Sequence, residues 1–171
     1  MSQFAKIGII IPALNEEKSL GPVVSDLIKV LRSHHESYQI IIINDGSTDK
    51  TGEVALELTK KNDHIKLIHH KEPQNIGRCY QEALTHLDTE YITWWPSDGE
   101  IPPELLDRVL PKLDKGKIII PYPKRDSYQR NFIRRSLSFF YQAFFNFVFS
   151  LNLKYFNANA FIPKDLLKDF Q

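Results

Sequence analysis

The chain has 171 residues, a length that suits one domain with a buried core. Its hydrophobic content of 42% and charged content of 25% are ordinary for a soluble globular protein, and its formal net charge of +1 gives no overall attraction to nucleic acid. A single cysteine, Cys79, excludes an internal disulfide framework and fits a reducing compartment, where it is expected to be a small apolar filler.

Short apolar segments alternate with segments of helical spacing along the chain. The predicted order is strand 6–11, helix 16–32, strand 38–43, helix 48–61, strand 65–69, helix 77–86, strand 91–95, helix 102–113 and strand 117–121. This alternation predicts an α/β fold with a mostly parallel central sheet and helices on both faces. The N-terminal segment is accordingly predicted to be a strand and not a signal peptide.

Ligands of such sheets bind outside the carboxyl ends of the strands, so function is expected in the loops that follow the strands. Residues 79–107 contain no Lys or Arg and seven acids, whereas residues 115–135 contain seven basic residues and one acid. An acidic segment followed by a basic one suits a site that holds a cation together with anionic phosphates. Two separate solvated faces would explain the same pattern.

The loop after the second predicted strand has the sequence NDGSTD. Asp45 at the end of this strand is a candidate acceptor for ribose hydroxyls or a base N–H. Gly46 would allow a tight turn, and Ser47 or Thr48 would cap the next helix. A simple turn followed by a helix cap explains the same residues.

The first loop, PALNEE, follows a buried strand and opens a helix. Asn15 is the predicted N-cap, with Glu16 and Glu17 favoured in the first turn by the helix dipole. That local role explains these acids fully when they are considered alone.

The sequence lacks the glycine-rich GxGxxG and GxxxxGK[ST] loops, which argues against a dinucleotide oxidoreductase or a P-loop NTPase. A bound nucleotide diphosphate would therefore need a metal, basic side chains or both. There is also no C-x-x-C or H-E-x-x-H pattern. His69 and His70 would point to opposite sides of a strand, which makes them a poor metal pair.

Four segments, IPALNEE, INDGSTD, PQNIG followed by Ala83, and PSDGEIPPELL, occur in this order. Together they resemble the family 2 glycosyltransferases with the GT-A fold, nearest to the dolichyl-phosphate mannosyltransferase-like branch that transfers sugars to polyprenyl phosphates. The likeness extends from about residue 6 to the last residues. It implies a single GT-A domain over residues 1–171, with a nucleotide-binding part at about 1–121 and an acceptor or membrane-proximal part at about 122–171. Relatives of this kind continue further, which raises the expectation of a truncated chain.

The resemblance also implies roles for individual residues. Asp98 and Glu100 match the end of the family's D-x-D metal motif and the following polar residue, and with Arg125 they are the predicted catalytic group. The residues predicted to bind the nucleotide are Pro12, Ala13, Leu14, Glu16, Asp45, Gly46, Asn75, Gly77 and Arg78. The residues predicted to bind an acceptor phosphate are Arg125, Arg130, Arg134 and Arg135.

The segment WWPSDGE departs from the family pattern, because Pro96 stands where the first D-x-D acid usually lies. Asp98 and Glu100 would still offer two oxygens to Mg²⁺ or Mn²⁺, with pyrophosphate and water completing the shell. Three alternatives remain: a rearranged metal shell, weak metal dependence with arginines carrying the charge, or a nucleotide binder without activity. Strand alternation should also send Trp94 and Trp95 to opposite faces of the sheet.

Residues 136–153 carry no charge, are rich in phenylalanine and follow two arginines. A polar residue recurs at every fourth position, which favours an interfacial helix over a membrane span. A domain helix with one aromatic face is the alternative. The resemblance thus predicts an inverting transferase that moves a hexosyl group from a UDP- or GDP-sugar to a lipid phosphate, peripheral at the cytoplasmic face of the membrane. Transfer to a saccharide hydroxyl, or sugar-nucleotide binding without catalysis, are the other hypotheses.

Overall fold

A computed structural model describes residues 5–34, 37–113, 116–121, 132–150 and 159–170 of the chain. The chain divides into two compact units, of which the first comprises Met1–Ile119 and Ala160–Gln171 and the second comprises Ile120–Asn159. The described β-sheet lies entirely in the first unit, and the end of the chain contributes one of its strands.

The sheet has five strands in the order β3-β2-β1-β4-β5. Four of them are mutually parallel, and a short fifth strand pairs antiparallel with β4. The strands are β1 (Ile7–Ala13), β2 (Tyr38–Asp45), β3 (Ile65–His70), β4 (Tyr91–Trp94) and β5 (Ile162–Pro163). Such an arrangement confirms the prediction of a mostly parallel sheet.

Helices cover both faces of this sheet. The helices of the first unit are α1 (Leu20–Ser33), α2 (Thr51–Lys61), α3 (Ile76–His86) and α4 (Glu104–Val109), with 3₁₀ turns at Leu110–Lys112 and Lys164–Phe170. Residues of α1, α2 and α4 pack with Ile9 and Ile11 on one face, whereas residues of α3 pack with Ile10 and Ile41 on the other. Because alternate strand residues point to opposite faces, the isoleucine-rich strands supply both core layers.

The two tryptophans follow the same alternation. Trp95 is buried in the layer that contains α1, and Trp94 packs against the layer that contains α3. The prediction that they face opposite sides of the sheet is confirmed.

The prediction of a strand at residues 117–121 is wrong. In the structure only Ile119 makes an isolated antiparallel bridge, to Phe161, and the place beside β4 belongs to Ile162–Pro163. Ile118 and Ile120 are 50% and 38% exposed, so the apolar segment contributes one side chain to the core and not a buried strand. Pairing with a segment over forty residues away has no local signal in the sequence.

Two helices begin later than predicted. Helix α1 begins at Leu20 instead of residue 16, and its N-cap is Ser19, not Asn15. Helix α2 begins at Thr51, and its N-cap Lys50 makes no side-chain capping bond. The polar residues expected to cap these helices form hydrogen bonds between loops instead, which are described below.

The second unit contains the helix α5 (Phe132–Val148), which overlaps the aromatic segment at residues 136–153. Several of its aromatic side chains are solvent-exposed, with Phe144 at 61% and Phe147 at 86%. No helix in the described part of the chain is both long and apolar enough to cross a membrane.

A pair of isoleucine substitutions tests the assignment of Ile9 to the buried core and of Ile118 to an exposed segment. Ile9→Ala removes a fully buried side chain from the central strand and should lower the free energy of unfolding by about 2–5 kcal/mol. Ile118→Ala, in the segment that does not form a strand, should lower it by less than about 1 kcal/mol. Urea denaturation of both variants measures the difference, and equal losses would contradict the assignment.

Candidate active site

A cavity of about 590 Å³ opens at the carboxyl ends of the parallel strands. It lies where the strand order changes direction, between β1 and β4, the position at which open α/β sheets bind ligands. Its lining residues come from the last residues of the parallel strands, from the loops that follow all four of them and from the start of α3: Pro12, Ala13, Leu14, Glu16, Asp45, Pro73, Gln74, Asn75, Ile76, Trp94, Pro96, Ser97 and Asp98. Parallel pairing brings these loops to one edge of the sheet although they are far apart in sequence.

The first two loops are joined by reciprocal hydrogen bonds. The backbone N–H of Asn15 donates to Ser47 Oγ at 3.0 Å, and the backbone N–H of Thr48 donates to Asn15 Oδ1 at 2.9 Å. Asn15 has a positive φ of 59°, a conformation that asparagine tolerates better than most residues. Its side chain therefore connects two loops and does not cap α1.

The adjacent glutamates continue this junction. The backbone N–H of Glu16 donates to Thr51 Oγ1 at 2.7 Å, and Glu17 Oε2 accepts from the backbone N–H of Lys50 at 3.1 Å. The Glu16 carboxylate also accepts from the Ser19 hydroxyl and lines the cavity. The bond from Lys50 satisfies a backbone N–H at the start of α2 that has no partner within the helix.

Gly46 permits close contact between the second and third loops. Its φ is 78°, and a Cβ at this position would lie 2.6 Å from the backbone nitrogen of Pro73. Glycine is needed here for both reasons, which confirms the tight turn expected from the sequence.

Asp45 is the most extensively bonded acid of the cavity. Its Oδ1 accepts a hydrogen bond from the backbone N–H of Gln74 at 2.8 Å and lies 2.7 Å from His70 Nδ1. Burial on its own would raise the pKa of the Asp45 carboxyl, but the hydrogen bonds from His70 and Gln74 outweigh it and hold the pKa below its ordinary value. Asp45 is therefore an ionised acceptor at the cavity wall.

Asp45, His70 and Cys79 each place one ligand-type atom within 4.8 Å of the others. Both ring nitrogens of His70 already lie at hydrogen-bond distance from carboxylates: Nδ1 is 2.7 Å from Asp45 Oδ1, and Nε2 is 2.8 Å from Glu82 Oε2. Burial raises the pKa of the Cys79 thiol to about 11, so the thiol stays protonated and binds a metal poorly. The three side chains form a hydrogen-bonded group.

Asn75 and Ser97 fix the remaining two loops. Asn75 Oδ1 accepts from the backbone N–H of Arg78 at 3.2 Å and caps α3, with a φ of 74° at Asn75. The buried Ser97 hydroxyl donates to the carbonyl oxygen of Pro12 at 2.9 Å and ties the loop after β4 to the loop after β1.

The exposed carboxylate of Asp98 stands at the edge of the cavity. Its Oδ1 accepts from the backbone N–H of Glu100 at 2.9 Å, across a turn in which Gly99 has a φ of 80°. Pro96 also lines the cavity and offers no side-chain ligand. The oxygen of Asp98 that takes no part in this turn is the cavity's candidate ligand for a hard divalent cation.

The structure brings seven of the predicted site residues to the lining of this one cavity: Pro12, Ala13, Leu14, Glu16, Asp45, Asn75 and Asp98. Gly46 and Glu100 lie in the same loops, and Gly77 and Arg78 lie in the first turn of α3, but none of these four residues lines the cavity. Arg125 and Arg130 lie outside the described residues. Arg134 and Arg135 belong to α5 of the second unit, and their side chains are likewise outside the described part.

Sequence reasoning did not identify His70, Gln74 and Ser97 as parts of the site. In the sequence His70 stands out only as one half of a poor metal pair with His69. Its partner follows from the strand register, in which His70 lies opposite Asp45 at the ends of β3 and β2. Knowledge of the strand order would have revealed this pair, since both residues end adjacent parallel strands.

The family described as "Glycosyl transferase family 2" matches residues 8–169. Dolichyl-phosphate beta-glucosyltransferase ALG5A of Trichomonas vaginalis is 33% identical to this chain over 100 residues, which are 54% of this chain and 30% of that protein. The chain thus matches less than a third of the length of that curated relative.

Solved structures share the fold at low sequence identity. Mannosyltransferase PcManGT from Pyrobaculum calidifontis, in complex with GDP-Man and Mn²⁺, has a TM-score of 0.69 at 14% identity over 99% of this chain and 47% of its own. Glucosyl-3-phosphoglycerate synthase from Mycobacterium tuberculosis, in complex with UDP, has a TM-score of 0.67 at 18% identity over 95% of this chain and 58% of its own. The predicted GT-A type of α/β fold is confirmed by these neighbours.

The contact between Gly46 and Pro73 can be tested with two glycine substitutions. Gly46→Ala should destabilise the fold by about 1–3 kcal/mol, because alanine is strained at positive φ and its Cβ would contact the Pro73 backbone. Gly21→Ala in α1 is the control, since its Cβ would meet its nearest neighbour at 3.8 Å. It should raise stability by up to about 1 kcal/mol. Denaturant midpoints that moved equally would contradict the role of Gly46.

Proposed function

The chain belongs to glycosyl transferase family 2, and on that premise we propose that it transfers a hexosyl group from a UDP- or GDP-sugar to a polyprenyl phosphate. The main support is that the loops carrying the family's motifs line one cavity, with Asp45 at one wall and Asp98 at its edge. The names of the relatives agree with the proposed acceptor and with the proposed donors. One is a dolichyl-phosphate glucosyltransferase, and two structural neighbours hold GDP-Man with Mn²⁺ and UDP.

In this proposal Asp45 binds the nucleoside. Its carboxylate is held by two hydrogen bonds that both end on Oδ1, so its orientation at the cavity wall is fixed before a ligand arrives. An ionised carboxylate accepts hydrogen bonds from ribose hydroxyls or from a base N–H. Pro12, Ala13 and Leu14 supply the neighbouring wall at the end of β1.

The acids after β4 suit a divalent cation bound with the diphosphate. Asp98 is exposed at the cavity edge, and carboxylate oxygen is the ligand type that Mg²⁺ and Mn²⁺ prefer. Glu100, two residues further, is the second candidate ligand, and Pro96 contributes none. Such an ion would neutralise charge that develops on the departing diphosphate. The donor set is smaller than a full D-x-D motif, so the diphosphate itself would have to supply several ligands.

Transfer would occur by one in-line displacement, as the family resemblance implies. A phosphate oxygen of the acceptor attacks the anomeric carbon, the bond to the nucleoside diphosphate breaks, and the configuration is inverted. A phosphate acceptor is already ionised near neutral pH and needs no general base. Instead, its negative charge must be screened and the phosphate group must be aligned with the anomeric carbon. This is the role proposed for Arg125, Arg130, Arg134 and Arg135.

Two rival functions have specific support. Glu100 is a carboxylate near the cavity and would serve as a base if the acceptor were a saccharide hydroxyl. Pro96 removes a ligand at the position of the first D-x-D acid, which favours a sugar-nucleotide-binding protein without catalysis. The assay below separates these rivals from the main proposal.

Helix α5 is the proposed site of peripheral contact with the membrane, at the cytoplasmic face. Phe140, Phe144 and Phe147 are 70%, 61% and 86% exposed, and two arginines lie in the first turn of this helix. Exposed aromatic rings insert at the headgroup boundary, and arginine favours anionic lipids. Membrane contact of this kind would bring the enzyme to a lipid-linked acceptor.

The decisive assay compares acceptors. The protein, or a longer form that contains this chain, should transfer sugar from a UDP- or GDP-sugar to a polyprenyl phosphate and not to a free saccharide. Asp98→Asn should reduce this transfer at least about a hundredfold, because one candidate ligand of the diphosphate-bound cation is lost. Asp88→Asn is the matched control, since Asp88 pairs at 3.4 Å with Lys6 at the opposite end of the strands.

Calorimetric titration of the donor with and without Mn²⁺ completes this test. Donor affinity that increases with Mn²⁺ in the wild type and not in Asp98→Asn supports the cation site. Donor binding without transfer to either acceptor would indicate the non-catalytic rival, and transfer to the saccharide alone would indicate the other. Wild-type turnover in Asp98→Asn would refute the role of Asp98.

Membrane contact is tested with vesicles that contain anionic phosphatidylglycerol. The double variant Phe144→Ser, Phe147→Ser should bind these vesicles at least about tenfold more weakly, because two exposed rings no longer insert. Leu56→Ser, at an exposed apolar position of α2, should leave binding unchanged. Equal co-sedimentation of the double variant and the wild type would contradict this contact.

A further inference from the structure

His70 lies between two carboxylates behind the wall of the cavity. Its Nδ1 is 2.7 Å from Asp45 Oδ1, and its Nε2 is 2.8 Å from Glu82 Oε2. The side chains of His70 and Asp45 are only 11% and 12% exposed, whereas that of Glu82 is 42% exposed. The proposed transfer reaction leaves this histidine without a role.

The number of ring protons decides what His70 can do here. A neutral imidazole has one N–H, so it can donate to Asp45 or to Glu82 but presents a lone pair to the other carboxylate. An imidazolium donates to both, and such charge-assisted bonds are the stronger ones. The surroundings therefore favour the protonated ring.

The groups that face His70 come from three elements. Asp45 belongs to β2, and Glu82 and the protonated thiol of Cys79 belong to α3. The backbone N–H of Gln74, in the loop between β3 and α3, donates to the same Asp45 oxygen. The hydrogen bond to Asp45 raises the pKa of His70, burial opposes it, and the bond and charge of Glu82 raise it further. The net direction is upward, so the imidazolium persists to a higher pH than that of an exposed histidine.

We propose that protonated His70 is a positioning residue for the nucleotide donor, which fixes the Asp45 carboxylate and cancels its charge beside the anionic diphosphate. This inference rests on the proposed function, in which Asp45 binds the nucleoside. Loss of the ring proton breaks one of the two bonds and leaves uncompensated negative charge next to a doubly charged ligand. Donor affinity is then highest at low pH and falls as the pH rises through the raised pKa of His70.

Three variants separate charge from hydrogen bonding. His70→Asn places a neutral donor near the Nδ1 position, toward Asp45, whereas His70→Gln places one near the Nε2 position, toward Glu82. Glu82→Gln keeps the histidine and removes one carboxylate that raises its pKa. Because Glu82 is partly exposed, this third variant tests the inference even if a substitution at His70 disturbs folding.

The measurement is the affinity of UDP-GlcNAc and GDP-mannose, by calorimetry at fixed Mg²⁺ from about pH 5.5 to about pH 8.5, a range that spans histidine titration. Both donors lack a terminal phosphate with a pKa of about 6, so the ligands do not titrate in this range. Wild-type affinity should fall about three- to tenfold across it, the loss of roughly one charge-assisted bond. The transition should move to lower pH in Glu82→Gln.

His70→Asn should bind with a pH-independent affinity close to the high-pH value of the wild type, and His70→Gln should bind more weakly at every pH. His86→Asn, at an exposed position of α3, should keep the wild-type profile. A wild-type affinity that is constant with pH, or a transition that is unchanged in Glu82→Gln, would overturn the inference and leave the proposed function intact. Failure of the wild type to bind either donor at any pH would overturn the proposed function, and this inference with it.

Discussion

The structure depends on covering two isoleucine-rich strands on both faces. Strands β1 and β2 are almost fully buried, and their alternate residues point into opposite core layers. Helices α1 and α2 cover one layer, so α3 must cover the other. A chain that changes faces after β3 then adds its next strand on the far side of β1. That reversal creates the cavity between the ends of β1 and β4.

The loops around this cavity hold one another in place. Asn15 joins the first loop to the second, Gly46 allows the second to contact the third, and Ser97 ties the fourth to the first. The side on which the nucleoside is proposed to bind is the more constrained, because Asp45 is buried and accepts two hydrogen bonds, while Asp98 is exposed at a turn. In the proposed reaction the donor is therefore oriented by a preformed wall, and the cation side can adapt to the diphosphate.

Much of this arrangement could be predicted from the sequence, because the relevant signals are local. Apolar periodicity predicts the four parallel strands, the helices between them and the opposite directions of Trp94 and Trp95. The structure contains all of these features. The prediction of a strand at residues 117–121 was wrong, because a short apolar segment can also lie partly exposed at the edge of the sheet without forming a strand. The predicted starts of α1 and α2 were wrong because Asn15 and Ser47 are residue types that often cap helices, but here each forms a hydrogen bond with the other loop.

The sequence by itself determined the four parallel strands, the helices between them, and that the loops after these strands meet at one edge of the sheet. Periodicity and turn chemistry involve residues a few positions apart, so they act before distant segments meet. Only the tertiary structure decided that His70 lies against Asp45 and Glu82, that the last strand is Ile162–Pro163, and that Asp98 rather than Glu100 reaches the cavity wall. These features depend on strand order and loop contacts, which bring together side chains that share no local pattern.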